Sequence, residues 1–252
     1  MKKILFLCGF LAACSNAPKV NPSDTYHQRM ESVSAQFIGT KYIFGALGEG
    51  QGYDANPVLR TDGFDCVTYV ETVMAYGRDG DVLQNKIEIS YLDAKLDYVH
   101  RKHFWELDQA ESDTMTDITA KLGAPVKILP TTIDKKEWFS RKKPPVETDF
   151  KPVRLNFSYI PKDKIDKIDS TKLPQISIIG IVAYDADYHK RIGTDNPNRH
   201  VGFVIKKPSG DLVVRHASQS QMKVVEETWE EFTSHQMGLK NRIGIKIWSI
   251  NE

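Results

Sequence analysis

A cysteine stands in the run Asp62-Gly63-Phe64-Asp65-Cys66-Val67-Thr68-Tyr69-Val70-Glu71, directly behind a residue suited to capping a helix. An N-cap aspartate accepts one of the free N–H groups of the first turn. No Gly or Pro follows until Gly77, so a helix is predicted to open at Cys66 and to end near Gly77 or Gly80. The positive end of the helix dipole favours thiolate over thiol, and a lowered pKa makes sulfur a nucleophile near neutral pH. A cysteine at a helix start is otherwise a buried structural residue. What separates the two readings is a base within reach.

His200 and His216 are the candidates for that base. His200-Val201-Gly202-Phe203-Val204-Ile205 and Leu212-Val213-Val214-Arg215-His216-Ala217 flank the turn Lys207-Pro208-Ser209-Gly210, which predicts a β-hairpin. With Pro208 to Gly210 as a three-residue loop and Gly210 left-handed, Lys207 faces Asp211 and Gly202 faces His216. His200 then becomes a diagonal neighbour of His216 on one sheet face, about 7–8 Å away between Cα atoms, with Gly202 leaving room between them. Two half-buried structural histidines are the alternative. Together, Cys66 attacking a carbonyl, His200 as base and His216 orienting the imidazole make nucleophilic amide cleavage, with the Cys66 backbone N–H aimed at the oxyanion.

The rest of the chain must position these groups. With 252 residues, 40% hydrophobic and 27% charged, it has globular composition and length for one large domain, predicted over residues 24–252. A net charge of +1 supplies no basic field for nucleic acid. Tyr26, Met30, Val33 and Phe37 recur at helical spacing and stop before Gly39. Gly48-Glu49-Gly50-Gln51-Gly52 lacks the Lys-Ser/Thr of a phosphate loop and reads as a flexible loop near the cysteine helix. A second helical pattern, Leu92, Leu96 and Val99, leads to His100-Arg101-Lys102-His103. His100 and His103 could share a helix face, but no third ligand of comparable spacing follows, so no metal is expected and a basic, aromatic rim for an anionic sugar or peptide is the better reading.

Residues 79–174 are weakly patterned and read as a variable insertion. Within them Asp117 to Leu122 suggest a short helix closed by Gly123, Val126 to Leu129 a strand, and Lys142-Lys143-Pro144-Pro145 a loop. Ile176 to Tyr184 predict a buried strand and Asp185 to Asn198 a loop. The end of the chain predicts a strand at Lys223 to Val225, a helix over Trp229 to Ser234 capped by Thr228, and a strand at Ile243 to Ile250.

At the N-terminus, Lys2-Lys3 and the apolar run Ile4 to Ala13 have the charged head and short greasy core of an export signal. Leu11-Ala12-Ala13-Cys14-Ser15 resembles the lipobox of bacterial lipoproteins, which implies cleavage before Cys14, lipidation of Cys14 and a membrane-anchored place in the cell envelope. A plain secretory peptide cut after Ala13 is the alternative. Residues 14–23 then form a tether holding Pro18 and Pro22. Loss of Cys8 with the signal leaves Cys66 as the one free thiol of the mature domain, and an unpaired cysteine in an oxidising compartment is buried or used.

Gly63 to Glu71, His200-Val201-Gly202-Phe203 and His216-Ala217-Ser218 together resemble the NlpC-like, papain-fold cell-wall cysteine peptidases, and Tyr42 fits their upstream pattern. Tyr98 to Phe104 and Asp117-Ile118-Thr119 further resemble the N-acetylmuramoyl-L-alanine amidase-like branch. The resemblance implies an α+β fold with the cysteine helix on an antiparallel sheet, peptidoglycan fragments as substrate, the muramoyl–L-alanine amide as the bond cut, and neither metal nor cofactor. It implies Cys66 as nucleophile, His200 as base and His216 as third member, with Gln219 competing for that place. Tyr42 and Asp65 are implied beside the cleft, with Arg101 and His103 as binding candidates. A stem-peptide endopeptidase, or a non-catalytic glycan-binding lipoprotein, are the alternatives.

Overall fold

The strand Ile176–Ala183 is buried at every position, because it lies inside a sheet covered on both faces. A computed structural model describes residues 17–109 and 113–252; the segment expected to be an export signal and Cys14 lie outside them. The helices are α1 Tyr26–Gln36, α2 Cys66–Gly77, α3 Val82–Ser90, α4 Trp105–Asp108, α5 Lys135–Ser140, α6 Ala186–Ile192 and α7 Trp229–Gly238. The strands are β1 Met115–Asp117, β2 Lys127–Ile133, β3 Val153–Pro161, β4 Ile176–Ala183, β5 Asn198–Lys206, β6 Leu212–Ser218, β7 Lys223–Thr228 and β8 Arg242–Ile250.

The strands form one antiparallel sheet in the order β2-β3-β8-β4-β5-β6-β7, with β1 also paired to β8. Alternation divides the core in two. Val201, Phe203 and Ile205 of β5 face α1 and α2, joining Met30, Val33, Tyr69, Val70 and Val73. Val204 and Val214 face the other way, joining Phe232 of α7 and Ile245 and Ile247 of β8. The expected α+β architecture, with a cysteine-headed helix packed on an antiparallel sheet, is present.

The predicted hairpin forms in the expected register. Lys207 N–H donates to the Asp211 carbonyl at 2.9 Å, Phe203 pairs with Arg215, and Gly210 is left-handed at φ 92°. A side chain at Gly202 would put its Cβ 2.8 Å from that of His216, so only glycine lets the two strands carry the histidine here.

Several expectations are corrected. No helix covers Leu92 to Val99: α3 ends at Ser90, and Asp93 and Ala94 take left-handed φ of 51° and 52°, which a right-handed helix cannot continue. The Asp97 carboxylate instead closes a turn by accepting the N–H groups of Val99 and His100. The expected loop at 185–198 contains α6, capped by Asp185 and ended by left-handed Gly193. Asp117 lies in β1 and the helical turn after it is only the 3₁₀ segment Thr119–Lys121. Residues 79–174 contribute β1, β2 and β3 to the common sheet. The Gly-rich loop is tied down: Tyr91 Oη donates to the Gly48 carbonyl and the Glu49 N–H to the Asp54 carbonyl. Part of the tether is held too, Lys19 exchanging two backbone hydrogen bonds with the Gln36 side chain.

Candidate active site

Asp65 builds the start of α2 as its sequence predicts. Its Oδ1 accepts the Thr68 N–H at 2.8 Å, and Thr68 Oγ1 accepts the Asp65 N–H at 2.9 Å, a reciprocal cap. Its Oδ2 accepts the Ala46 N–H at 3.2 Å, fastening the loop before the helix. Both carboxylate oxygens therefore hold the backbone around Cys66.

Cys66 is half-buried, and its sulfur accepts backbone N–H groups from Val201, Val67 and Cys66 itself. The expected thiolate is not the favoured form at rest. Burial pushes the Cys66 thiol up to about 12 and the Asp65 charge adds to the rise, against the lowering by those three N–H groups. The magnitudes explain the outcome: a helix end contributes about 0.3–2 kcal/mol, while removing an ion from water costs several kcal/mol. His200 is pushed well below the ordinary imidazole range, first by burial and then by His216, Arg242 and His235. Thiol and imidazole are both uncharged at rest, in place of the thiolate expected at the helix start.

His200 and His216 are brought together. Nε2 of His200 lies 2.8 Å from Nδ1 of His216, with ring planes at 87°. The run continues: Nε2 of His216 lies 2.9 Å from Oε2 of Glu227, whose carboxyl is held below its usual range chiefly by that contact. Gln221 Nε2 donates to the other Glu227 oxygen at 2.9 Å. Phe232 packs on both imidazoles, with centroids 5.0 Å from His216 and 6.2 Å from His200. Gln219 is exposed; His216 occupies the place beside His200.

By alternation both imidazoles lie on the α7 face, whereas α2 packs on the opposite one. Pairing of β5 with β6 stops at Phe203 and Arg215, so the β5 backbone before Phe203 has no β6 partner. The Val201 N–H in that stretch donates to the Cys66 sulfur, which places the sulfur against the peptide that joins His200 to Val201. Arg242, at the head of β8, feels the charge of Cys66 and in turn lowers His200.

Tyr42 packs near Cys66. Its strand-like segment bridges the two halves of the site, pairing with Phe64 and donating its N–H to the Met222 carbonyl at 2.9 Å. Burial raises its hydroxyl above the ordinary range, with Cys66 and Asp65 adding to the rise. Arg101 and His103 stand apart from the Cys66–His200 region in their contacts. Arg101 is spent on Glu49, at 2.6 Å, and Asp54, at 3.2 Å. His103 accepts a place among Tyr98, Trp138 and Phe139, its Nε2 2.8 Å from the Tyr98 carbonyl oxygen, and burial pushes it down to about 3. His100 pairs with Asp97. Among the described residues no group of three or more His, Cys, Asp or Glu could hold a metal ion.

Three residues escape sequence reasoning: Glu227, Phe232 and Arg242. Glu227 was legible in principle, since β7 continues through Thr228 and Val214 opposes Glu227, two residues from His216 on the same face. Phe232 and Arg242 come from elements whose docking no local spacing reveals.

The chain is similar to a Legionella pneumophila protein of the DUF1460 family model, at 25% identity over 91% of this chain and 90% of that one, with a TM-score of 0.82. An N-acetylmuramoyl-L-alanine amidase from Bacteroides uniformis matches over 90% of this chain and 99% of its own, at 20% identity and a TM-score of 0.66. A Bacteroides fragilis protein bearing a provisional xylanase label matches at 21% identity over 86% and 99%, with a TM-score of 0.59. At 20–21% identity these last two likenesses show the fold alone, so neither label transfers by itself. No curated protein matches the chain. The AmiA-like family model, described as N-acetylmuramoyl-L-alanine amidase-like, matches residues 32–239, from α1 through α7, and the chain belongs to that family.

Proposed function

We propose that this protein is a peptidoglycan amidase that cuts the bond between N-acetylmuramic acid and L-alanine by a Cys66 thiol mechanism. The observation that carries the reading is the run from Glu227 through His216 to His200, ending where the Cys66 sulfur meets the Val201 peptide. An ionised Glu227 is an acceptor only, so Nε2 of His216 carries a proton. In the proposed mechanism His216 accepts at Nδ1, which puts the proton of His200 on Nε2 and leaves its Nδ1 as the base.

In the forward step the Cys66 proton passes to that nitrogen as the sulfur attacks the muramoyl carbonyl carbon. The oxyanion forms at the helix start, where the N–H groups of Cys66 and Val67 can turn from sulfur to oxygen. Protonated His200 gives its proton to the departing alanine nitrogen, the C–N bond breaks, and a muramoyl thioester remains. Water, deprotonated by His200, hydrolyses the thioester and restores the thiol. Positive charge on His200 is made only in transit, and the Glu227 carboxylate two bonds of the run away stabilises it then rather than at rest. Tyr42 and Asp65 line this side of the cleft. The placement in the papain-like superfamily and the lipid anchor on Cys14 belong to the same proposal, the anchor being tested by the mass of the mature N-terminal peptide.

Mass spectrometry of muropeptides after incubation tests the reaction. Free N-acetylmuramic acid-containing glycan plus an L-alanyl peptide is expected. A shortened stem still joined to the sugar would identify an endopeptidase instead, and unchanged substrate would leave a glycan-binding protein.

A further inference from the structure

We propose that Arg242, flanked by Arg199, is a binding site for a carboxylate of the substrate, next to the reacting pair. The inference rests on the amidase reading and extends it to the part of the substrate that the reading leaves unassigned.

The sheet register places the residue. Ile181 of β4 pairs with His200 on one side, and Ala183, two residues on and therefore on the same face, pairs with Arg242 on the other. His200 and Arg242 accordingly emerge on one face, diagonally across β4, the face that α7 covers. A chain irregularity between Val182 and Ala183 brings Arg242 into this register by skipping Ile243. The guanidinium interacts electrostatically with both Cys66 and His200.

What Arg242 lacks is a partner. Its Nε is buried without a hydrogen bond, and no carboxylate pairs with it among the described residues. The nearby acid, Asp185, lies 4.0 Å from Arg199 instead. Arg199, only 14% exposed in its side chain, stacks on Tyr188 at 3.2 Å from the ring centroid. It lines a cavity of about 310 Å³ with Ala183, Tyr184, Asp185 and Tyr188. Burial of an unpaired cation is unfavourable in the empty protein and is relieved when an anion arrives. A planar carboxylate that accepts two parallel N–H bonds is the natural guest for a guanidinium.

The test separates this site from the chemistry by measuring binding in a Cys66→Ala protein, which does not turn over. The probes are N-acetylmuramoyl-L-alanyl-D-glutamate and the same molecule with both carboxylates converted to carboxamides. Titration calorimetry is expected to show the acid binding about 10- to 100-fold more tightly than the diamide. Adding Arg242→Gln should bring the two probes to within about twofold of each other, whereas Arg242→Lys should retain part of the preference. Thermal melts of each variant confirm folding, and Arg199→Gln, which leaves Arg242 in place, should weaken the preference without abolishing it. Equal binding of acid and diamide, no binding of the acid, or a preference that survives Arg242→Gln would each overturn the proposal. A protein with Cys66 intact that binds the acid as expected yet hydrolyses nothing would instead refute the amidase reading while leaving the carboxylate site standing.

Discussion

Glu227 touches His216 and not His200, yet through His216 its carboxylate is joined to His200 in one run of contacts. The carboxylate oxygen, 2.9 Å from Nε2 of His216, calls for a donor there, and a 2.8 Å contact joins the two rings; in the proposed mechanism this contact passes the constraint to His200. The sheet makes the relation rigid. Glu227 and His216 come from neighbouring strands, and Phe232 presses on both imidazoles from α7.

Removing that carboxylate tests the relay. Glu227→Leu is expected to lower kcat on the order of 10²-fold, the scale of one correctly oriented general base, with KM little changed. Glu227→Asp should restore part of the rate. Because the Glu227 carboxyl is held below its usual range, its contribution is present above the ordinary carboxylate pKa and is lost as pH falls through the lowered value. The acid limb of the wild-type pH–rate profile should therefore disappear in Glu227→Leu; a limb that persists unchanged would refute the relay.

The thiol itself gives a prediction opposite to that of the helix dipole alone. With Cys66 pushed up to about 12, roughly one part in 10⁵ is thiolate at pH 7. Alkylation of Cys66 by iodoacetamide should be slow at neutral pH and rise about tenfold per pH unit into the alkaline range. Cys66→Ala should abolish hydrolysis. Fast labelling at pH 6 would mean that the resting site holds an ion pair after all.

Gly202 should tolerate nothing larger. Its Cβ would stand 2.8 Å from the His216 Cβ and 2.9 Å from the Arg215 carbonyl oxygen, and the latter is backbone that cannot yield. Gly202→Ala is expected to cost about 1–3 kcal/mol by overpacking. It should also displace His216 from His200, so activity should fall by more than the folded fraction does in urea titrations.

Glu106 supplies a stability test away from the reacting groups. Burial pushes its carboxyl up to about 7, while its Oε1 accepts the Asn198 N–H at 2.6 Å. A folded pKa above the unfolded value near 4.3 stabilises the protein fully below that value and progressively less as pH rises through about 7. Glu106→Gln keeps the acceptor and removes the titration. It should match wild type near pH 4 and exceed it by about 1–3 kcal/mol at pH 8, measured by denaturant melts at both pH values.

Local chemistry accounts for what the sequence made legible. Asp65 followed by a Gly-free run sets the start of α2, and Thr228 does the same for α7. Pro208 to Gly210 fix the loop of the β5–β6 hairpin, and with it the opposition of Gly202 and His216. Each of these depends on a few neighbouring residues, so spacing alone specifies them. The helix foreseen at Leu92 to Val99 failed for the complementary reason: an apolar repeat sufficed on paper, while Asp93 and Ala94 are left-handed and the Leu92 N–H donates to the His100 carbonyl rather than within a helix. The α6 helix was masked by its loop-like composition, although Asp185 and Gly193 carried its start and stop signals.

From its sequence the chain determined which groups are available: one cysteine at a helix start, two histidines on one face of a hairpin, and the cap that holds the cysteine in place. Tertiary structure decided how those groups behave. Dehydration at the end of the sheet outweighs the helix dipole and keeps the thiol protonated, and the docking of β7, β8 and α7 brings in Glu227, Arg242 and Phe232. Charge states depend on distance and burial, which long-range packing sets and residue spacing does not encode.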